Sequence, residues 1–311
     1  MTDIVIFGGA GYIGSHLVER LIDRGFEVTV VDDLSTGNVI NQKSRFLKYD
    51  VRNNIDKTLF RELKEPILID LVSQPDVRYS FREVEESYSR TMTTTLNILE
   101  FARVVDASKV LLASSVTVYG NSDNMPTEEN DLKKPISNYA LYKFLSEKML
   151  EYYSYVYSIN TVAMRFASVT GGKMSRGIVL DIMKKLRTNS KELEIWGSGK
   201  QQRNYTYISD LISAIHIFID RNGKGFDVFN ISSDDWIEIN DLIHIVENKL
   251  NIFPVHKNIE VLGGKGDVEI SRVSNKKLRS IGWKPALSTH EAIEKTVDDI
   301  NEYIYNTIHK G

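Results

Sequence analysis

The stretch from Ile4 to Gly14 reads IVIFGGAGYIG, and the fold prediction starts from it. Its first four residues, Ile4–Phe7, form a short apolar run that predicts a buried strand. The residues after it, Ser15–Arg24, carry apolar side chains at helical spacing. Between the two lies a G-x-G-x-x-G pattern. A strand, a tight glycine turn and a helix in this order can hold the pyrophosphate of a dinucleotide at the helix N-terminus.

An acidic residue after the second predicted strand strengthens this interpretation. Val28–Val31 is followed by Asp32, which lies 21 residues beyond Gly11, where a carboxylate can accept hydrogen bonds from both hydroxyls of a ribose. A plain glycine-rich turn is the alternative, and Asp32 makes it the weaker one. A carboxylate there would also repel the ribose phosphate of NADP, and Asp33–Thr36 contains no arginine to compensate. The sequence therefore predicts NAD as the cofactor.

The first half of the chain alternates strands with helices. Apolar segments at Ile67–Val72, Val110–Ala113 and Thr161–Arg165 predict strands, and helical patterns cover Val84–Val105 and Tyr139–Tyr157. Buried strands connected by crossover helices form a parallel sheet that is covered on both faces. We therefore predict an α/β protein with a Rossmann-type doubly wound parallel sheet.

A length of 311 residues fits two domains. In its second half the chain becomes rich in glycine and turns, with helical patterns at Asp210–Arg221 and Asn240–Leu250. We predict an NAD-binding Rossmann domain over residues 1–166, to which the chain returns around 205–232. A smaller C-terminal α/β lobe over residues 167–311 is expected to bind the substrate.

Composition disfavours several kinds of function. A net charge of -3 argues against a basic face for nucleic acid or for a membrane surface. The chain has no cysteine, which excludes thiol catalysis, disulfides and thiolate metal sites, and its six histidines are too scattered to predict a metal site. No apolar run reaches the roughly 18 residues of a membrane span and no signal peptide is visible, so we expect a cytoplasmic protein.

A serine, a tyrosine and a lysine form the predicted catalytic set. Ser115 closes the strand that begins at Val110, and Tyr139 and Lys143 lie one turn apart on the next helix. The phenol of tyrosine has a pKa of about 10 in water, so a tyrosine that acts as a base at neutral pH needs positive charge nearby. Lys143 and the nicotinamide ring could both stabilise the phenolate. Ser115 could orient a substrate oxygen, or it could merely cap the end of the strand.

These motifs resemble those of the extended short-chain dehydrogenase/reductases, within them the NAD-dependent epimerase/dehydratase family, and most closely its UDP-glucose 4-epimerase branch. The resemblance covers nearly the whole chain. It is carried by GGAGYIGSHL at 8–17, VVDDLSTG at 30–37, SSVTVYG at 114–120, YALYK at 139–143 and GSGKQQRNYTYISD at 197–210.

The resemblance implies a reaction. Tyr139 would remove the proton of the sugar 4-hydroxyl while a hydride passes from C4 of the sugar to NAD, and the 4-keto intermediate would turn over and take the hydride back on its other face. Lys143 would hold the nicotinamide ribose, and Ser115 would contact the oxygen at C4. Dehydratases of the family carry a carboxylate just after the serine or threonine. Val116 and Thr117 stand there in this chain, so dehydration is disfavoured.

The resemblance also implies the residues around the cofactor. The residues expected to contact NAD are Gly8, Gly11, Tyr12, Ile13, Gly14, Asp32, Asp33, Asp50, Val51, Leu71, Tyr139 and Lys143.

The implied substrate is a nucleotide-diphosphate sugar, above all a UDP-hexose, bound by the second lobe. Arg203 is expected at the pyrophosphate, because a guanidinium fits phosphate through two hydrogen bonds. Trp196 is expected at the uracil, with a buried core tryptophan as the alternative. Ser168 stands where the family usually carries an asparagine that faces the diphosphate. Lys265 could replace, as a point charge, the arginine that the family often carries before the pair Gly266–Asp267.

Four positions depart from the family pattern. Asp70 stands at a usual histidine, Val72 at a usual alanine beside the cofactor, Ser168 at the asparagine and Gly264 at the arginine just mentioned. These departures weaken the prediction of the sugar but not that of the fold. Another nucleotide-sugar epimerase or a keto-sugar reductase of the family is the nearest alternative, and a non-catalytic sensor of NAD or nucleotide sugar is a remote one. The helices at 84–105 and 139–157 resemble those that pair two subunits in this family, which predicts a homodimer.

Overall fold

The computed structural model describes residues 3–60, 63–74, 76–259, 266 and 268–309. The chain forms two compact units. Unit 1 contains Met1–Gly120, Lys133–Arg165 and Ile212–Phe229, and unit 2 contains Asn121–Leu132, Phe166–Leu211 and Asn230–Gly311.

The described residues form the following strands and helices. The strands are β1 (Asp3–Phe7), β2 (Glu27–Asp32), β3 (Arg45–Lys48), β4 (Ile67–Asp70), β5 (Lys109–Ser115), β6 (Asn160–Phe166), β7 (Ser168–Thr170), β8 (Glu192–Trp196), β9 (Gln202–Arg203), β10 (Tyr205–Tyr207), β11 (Phe226–Ile231), β12 (Ile237–Glu238), β13 (Val255–Ile259) and β14 (Ile270–Ser271). The helices are α1 (Tyr12–Asp23), α2 (Val77–Arg82), α3 (Val84–Tyr88), α4 (Thr94–Val104), α5 (Asn138–Tyr157), α6 (Ile178–Thr188), α7 (Ile208–Asp220), α8 (Ile239–Leu250), α9 (Lys276–Arg279) and α10 (Thr289–His309).

A seven-stranded sheet forms the centre of unit 1, in the order β11-β6-β5-β4-β1-β2-β3. The pairings of β1 with β2 and β4, of β2 with β3 and of β4 with β5 are parallel. Apart from β11, this is the strand order of the dinucleotide-binding fold. The predicted fold class, a Rossmann-type doubly wound parallel sheet, is therefore confirmed.

The strand sequences explain this architecture. β1, β4 and β5 are mostly apolar and all their residues except Asp3 are buried, as expected when helices cover both faces of a sheet. Phe101 of α4 packs its ring against Phe7 of β1 and Phe60, with centroids 6.2 and 4.7 Å apart. The core of unit 1 thus lies between the sheet and its crossover helices.

The carboxyl ends of four adjacent strands gather the candidate site residues of unit 1. In sheet order these ends are Ser115 of β5, Asp70 of β4, Phe7 of β1 and Asp32 of β2. Open parallel sheets bind ligands at this edge, where the strand order reverses beside β1.

The helix predicted over Val84–Val105 is not continuous. It is divided into α3 and α4 by a π-helical turn at Ser89–Thr93. Threonines crowd this region, and their β-branched side chains and hydroxyl groups disfavour a regular helix. The apolar periodicity of the segment therefore predicted the helical character but not the interruption.

Unit 2 is a smaller α/β assembly. β8 pairs with β13, β7 with β10, and β9 lies between β12 and β14. Its core includes Leu186 of α6, Val246 of α8 and Val297 of α10, all completely buried. None of the helices in the described part of the chain combines the length and apolarity needed to cross a membrane.

Candidate active site

The glycine turn between β1 and α1 is built for close backbone approach. Gly8 has a φ of 79°, and its amide donates to the Val31 carbonyl at 2.8 Å. A Cβ on Gly14 would lie 2.6 Å from Gly9 Cα and would also collide with the Gly8 carbonyl, so only glycine lets the helix start against the turn. The first turn of α1 carries neither a side-chain cap nor an acidic side chain. Its partial positive charge therefore suits a pyrophosphate.

Asp32 connects the glycine turn to the loop after β2. Its Oδ2 accepts a hydrogen bond from the Ala10 amide at 2.9 Å, and its Oδ1 accepts one from the Leu34 amide at 2.8 Å. Burial raises the pKa of the Asp32 carboxyl, and the two backbone hydrogen bonds lower it in part. Each oxygen has a second lone pair, so the carboxylate can still accept hydrogen bonds from ribose hydroxyls.

An ion-pair network that the sequence did not predict reaches the same loop. Arg52 binds the Asp50 carboxylate through Nε at 2.9 Å and Glu86 through Nη1 at 2.9 Å. Glu86 also pairs with Arg90, whose Nη1 donates to Ser35 Oγ at 2.9 Å. An arginine therefore does reach the segment after Asp32, from a helix 55 residues further along the chain. Its pairing with Glu86 balances its charge.

The remaining predicted NAD contacts in unit 1 lie beside these groups. Tyr12 and Ile13 open α1, and Asp33 accepts a hydrogen bond from the Ser35 amide at 2.8 Å. Val51 is buried, and the Leu71 amide donates to the Phe7 carbonyl at 3.0 Å.

The start of α5 holds Tyr139. Ser137 caps the helix by accepting a hydrogen bond from the Ala140 amide at 3.2 Å. The Tyr139 amide donates to Ser80 Oγ at 3.2 Å, which ties this turn to α2. The Tyr139 side chain is buried. These hydrogen bonds fix the backbone that carries the Tyr139 phenol.

Lys143 lies one turn after Tyr139 and is fastened to β5. Its Nζ donates to the Ala113 carbonyl at 2.7 Å, two residues before Ser115. Burial lowers the pKa of Lys143, whereas the carboxylates of Asp70 and Glu147 raise it. The structure thus brings the lysine of α5 to the strand that ends in the predicted serine.

Ser115 does cap the end of its strand. Its Oγ accepts hydrogen bonds from the Thr117 amide at 3.2 Å and from Thr117 Oγ1 at 2.9 Å, at the start of a 3₁₀ turn over Val116–Tyr119. Both bonds use lone pairs of the hydroxyl, so its proton can be donated to a substrate oxygen. The capping role and the predicted catalytic role are compatible.

A buried ion pair lies directly behind these residues. The Glu147 carboxylate accepts hydrogen bonds from Arg165 Nε at 2.9 Å, from Arg165 Nη2 at 2.6 Å and from Ser114 Oγ. Arg165 Nη1 donates to the Tyr119 hydroxyl at 2.7 Å. Burial lowers the pKa of Arg165, but the hydrogen bonds and charge of Glu147 outweigh this effect and raise it. The network joins α5, β5 and β6 and was not predicted from the sequence.

The predicted substrate-binding residues of unit 2 differ from one another in their exposure and in their contacts. Ser168 starts β7 and pairs with Tyr205 of β10. Trp196 is 49% exposed, with Lys185 Nζ 5.7 Å from its ring centroid, so the alternative of a buried core tryptophan is wrong. Arg203 donates to the backbone carbonyls of Gln202 at 2.8 Å, of Glu269 at 2.9 Å and of Val268. Lys265 and Gly264 lie outside the described residues.

Within the described ranges, no cluster of three or more histidines or carboxylates is arranged to hold a metal ion. The residues gathered at the sheet edge instead suit a dinucleotide, through the open end of α1 and the Asp32 carboxylate.

Comparisons with known proteins point to one family. The sequence profile of the NAD dependent epimerase/dehydratase family matches residues 4–232. A crystal structure of a UDP-galactose 4-epimerase is 31% identical, covers 97% of this chain and 100% of its own, and has a TM-score of 0.87. The UDP-glucose 4-epimerase of Thermotoga maritima, solved with UDP-glucose, is 28% identical with a TM-score of 0.89, over 97% of this chain and 100% of its own.

A third related structure is that of an enzyme named for a different sugar. The UDP-N-acetylglucosamine 4-epimerase of Methanobrevibacter ruminantium is 25% identical, covers 97% of this chain and 100% of its own, and has a TM-score of 0.87. The family match extends over most of the chain, from β1 to the end of β11. The chain therefore belongs to the NAD-dependent epimerase/dehydratase family.

Proposed function

We propose that this member of the family is a UDP-hexose 4-epimerase that interconverts UDP-glucose and UDP-galactose. One observation carries the proposal: Lys143, one turn after Tyr139, is fastened to the backbone of β5 beside Ser115. The residues after Ser115 are Val116 and Thr117, so no carboxylate stands there to eliminate water. Two of the structural relatives are named for this pair of sugars.

NAD, the cofactor of the family, supplies a reversible hydride acceptor for C4 of the sugar when it is bound. The start of α1 would hold its pyrophosphate, and Asp32 would hold its ribose. Tyr139 takes the proton of the sugar 4-hydroxyl and later returns it. The ammonium group of Lys143 stabilises the Tyr139 phenolate, and Ser115 donates its hydroxyl proton to the oxygen at C4.

We propose that the two parts of the chain have different roles. The residues of 1–166, with the return segment around 205–232, serve NAD and the chemistry, and the residues of 167–311 mainly bind the nucleotide sugar. In unit 2, the exposed ring of Trp196 offers a flat surface for a base. The guanidinium of Arg203 must exchange backbone carbonyls for phosphate oxygens when it binds a diphosphate. Ser168 and Lys265 complete the proposed set.

The substrate is tested by incubating the purified protein with UDP-galactose and following UDP-glucose by chromatography, with no NADH added. We expect interconversion to proceed until the two sugars reach equilibrium, because the hydride taken from C4 is returned to the same sugar. The NAD content of the same sample is measured by mass spectrometry after acid release.

Two further arms use UDP-N-acetylglucosamine and UDP-glucuronic acid. Turnover of one of these sugars without turnover of UDP-galactose would assign the protein to another branch of the family, as the likeness to the Methanobrevibacter enzyme allows. Absence of interconversion of any of these sugars by protein that carries NAD would contradict the proposed function.

We also propose that the protein is a homodimer. Helices α3, α4 and α5 of unit 1 pack together and leave apolar side chains exposed. These exposed side chains are Val84, Tyr88, Leu96, Leu141, Leu145, Tyr152 and Tyr155. A second copy of this helix face would cover them, as expected for the subunit contact implied by the family resemblance.

Light scattering at micromolar concentration is expected to give about twice the chain mass of 35.5 kDa. Leu145→Glu should produce monomers, because a carboxylate on this face would be buried without a partner. Phe253→Glu is the matched control, since Phe253 is an exposed apolar residue that belongs to unit 2 and to none of these helices. A monomeric mass for the unmodified protein would contradict the proposal.

A further inference from the structure

Asp70 is a buried carboxylate that has no role in the reaction proposed above. It ends the central strand β4, opposite Phe7 of β1 and Leu112 of β5. It is only 2% exposed. Its Oδ1 accepts a hydrogen bond from the Val72 amide at 3.0 Å, and its Oδ2 accepts a longer one from Thr95 Oγ1 at 3.4 Å.

Lys143 enters the same buried region from α5. Its Nζ binds the carbonyl of Ala113, the residue after the Leu112 that pairs with Asp70. The Thr95 hydroxyl that contacts Asp70 also lies 3.2 Å from Ser146 Oγ. Ser146 is three residues after Lys143 and therefore on the same helix face. Strand register and hydroxyl contacts thus place a carboxylate and an ammonium group in one polar region beneath the proposed catalytic residues.

The other charged groups of this region balance each other. From α5, Glu147 faces Lys143, but it is paired with Arg165 of β6. From β1 and β5, the neighbours of Asp70 are apolar, and α4 contributes the uncharged Thr95. Among the described residues, Asp70 is therefore a carboxylate near Lys143 that has no guanidinium partner, because its side chain accepts hydrogen bonds from Val72 and Thr95.

The two groups influence each other in the expected directions. The pKa of Asp70 is raised to about 6, because burial raises it by more than Lys143 and the two hydrogen bonds lower it. Burial lowers the pKa of Lys143, and Asp70 raises it in part. Each charge thus stabilises the other against the cost of burial.

We propose that Asp70 is a positioning residue that keeps Lys143 in its ammonium form, so that Lys143 can stabilise the phenolate of Tyr139. The inference rests on the role given to Lys143 under the proposed function. A neutral imidazole at this place could not supply the negative charge. As the pH falls through about 6, Asp70 gains a proton and Lys143 loses its counter-charge. In Asp70→Asn this counter-charge is missing at every pH, so Lys143 should lose its proton at a lower pH.

The pairing is tested by NMR on the full-length protein with NAD, using lysine labelled with ¹³C at Cε. The signal of Lys143 is identified by its disappearance in Lys143→Met. We expect the deprotonation midpoint of Lys143 to be lower by about one pH unit or more in Asp70→Asn. Asp70→His should behave like Asp70→Asn at neutral and alkaline pH. Asp210→Asn is the matched control, because Asp210 is also buried and also accepts a backbone hydrogen bond, from Leu287.

Kinetics give the functional readout. In Asp70→Asn the alkaline limb of the kcat–pH profile should move to lower pH by the same interval as the Lys143 midpoint. KM for the UDP-sugar should stay within about twofold, because Asp70 supports the chemical step through Lys143 rather than binding the sugar. A uniform loss of kcat at all pH values would indicate a merely structural role and would overturn the inference.

The outcomes separate this inference from the proposed function. An unchanged Lys143 midpoint in Asp70→Asn overturns the inference even when the protein epimerises UDP-galactose. A lowered midpoint in a protein that converts no UDP-sugar supports the pairing and contradicts the proposed function. If Asp70→Asn does not fold, the unmodified protein decides: its Lys143 signal should show a second inflection near pH 6 as Asp70 titrates, and absence of that inflection overturns the inference.

Discussion

Tyr139→Phe is expected to lower kcat for the UDP-sugar by about 10²- to 10⁴-fold, the usual contribution of a general acid–base group. The substitution removes the one oxygen proposed to take the proton of the sugar 4-hydroxyl. It keeps the ring in its buried position and the Tyr139 amide on Ser80 Oγ. The measurement is the initial rate of UDP-sugar interconversion by the variant at saturating substrate, together with its bound NAD.

Tyr142→Phe is the matched control for this loss. Tyr142 lies on the same helix three residues later, is also buried, and packs edge-on against Tyr88 with ring centroids 5.5 Å apart. It should retain nearly full activity and NAD content. If Tyr139→Phe kept the rate of the unmodified protein, the catalytic account would fail, and a protein that senses NAD or nucleotide sugar would become the better explanation.

The central sheet could be predicted because each of its inner strands is a short apolar run in the local sequence. The apolar runs that became β1, β4 and β5 have no other stable place than a sheet buried on both faces. α10 was not predicted, although Ile293, Val297 and Ile300 follow helical spacing. Charged and polar residues separate these positions, so the apolar stripe is narrow, and it is buried only when α6 and α8 pack against it.

The site was predictable only as far as sequence motifs reach. Tyr139 and Lys143 share a helix face because of their spacing, and Ser115 follows an apolar strand. The contact of Lys143 with the Ala113 carbonyl and its nearness to Asp70 depend on how α5 lies across β4 and β5, which no local pattern encodes. Arg90 escaped prediction for the same reason, since it reaches Ser35 across 55 residues of chain.

The buried pair of Glu147 and Arg165 carries the second large effect. Both side chains are almost inaccessible, at 2% and 3% of their exposed area. The carboxylate accepts two hydrogen bonds from the guanidinium and one from Ser114, and the guanidinium also lies 4.9 Å from the centroid of the Tyr119 ring. A charge in such a place is stable only while its partner is charged.

Glu147→Gln should therefore lower the free energy of unfolding by about 3–5 kcal/mol, because it removes the carboxylate charge that pairs with the buried Arg165 guanidinium. Urea denaturation followed by circular dichroism measures the change. Glu151→Gln is the matched control on the same helix: Glu151 pairs with Lys148 in an exposed position, and such pairs contribute about 1 kcal/mol or less. Replacing both partners, as Glu147→Leu with Arg165→Met, should recover part of the loss, because it removes the buried positive charge together with the carboxylate. Equal, small losses in Glu147→Gln and Glu151→Gln would show that the buried pair does not stabilise the fold in this way.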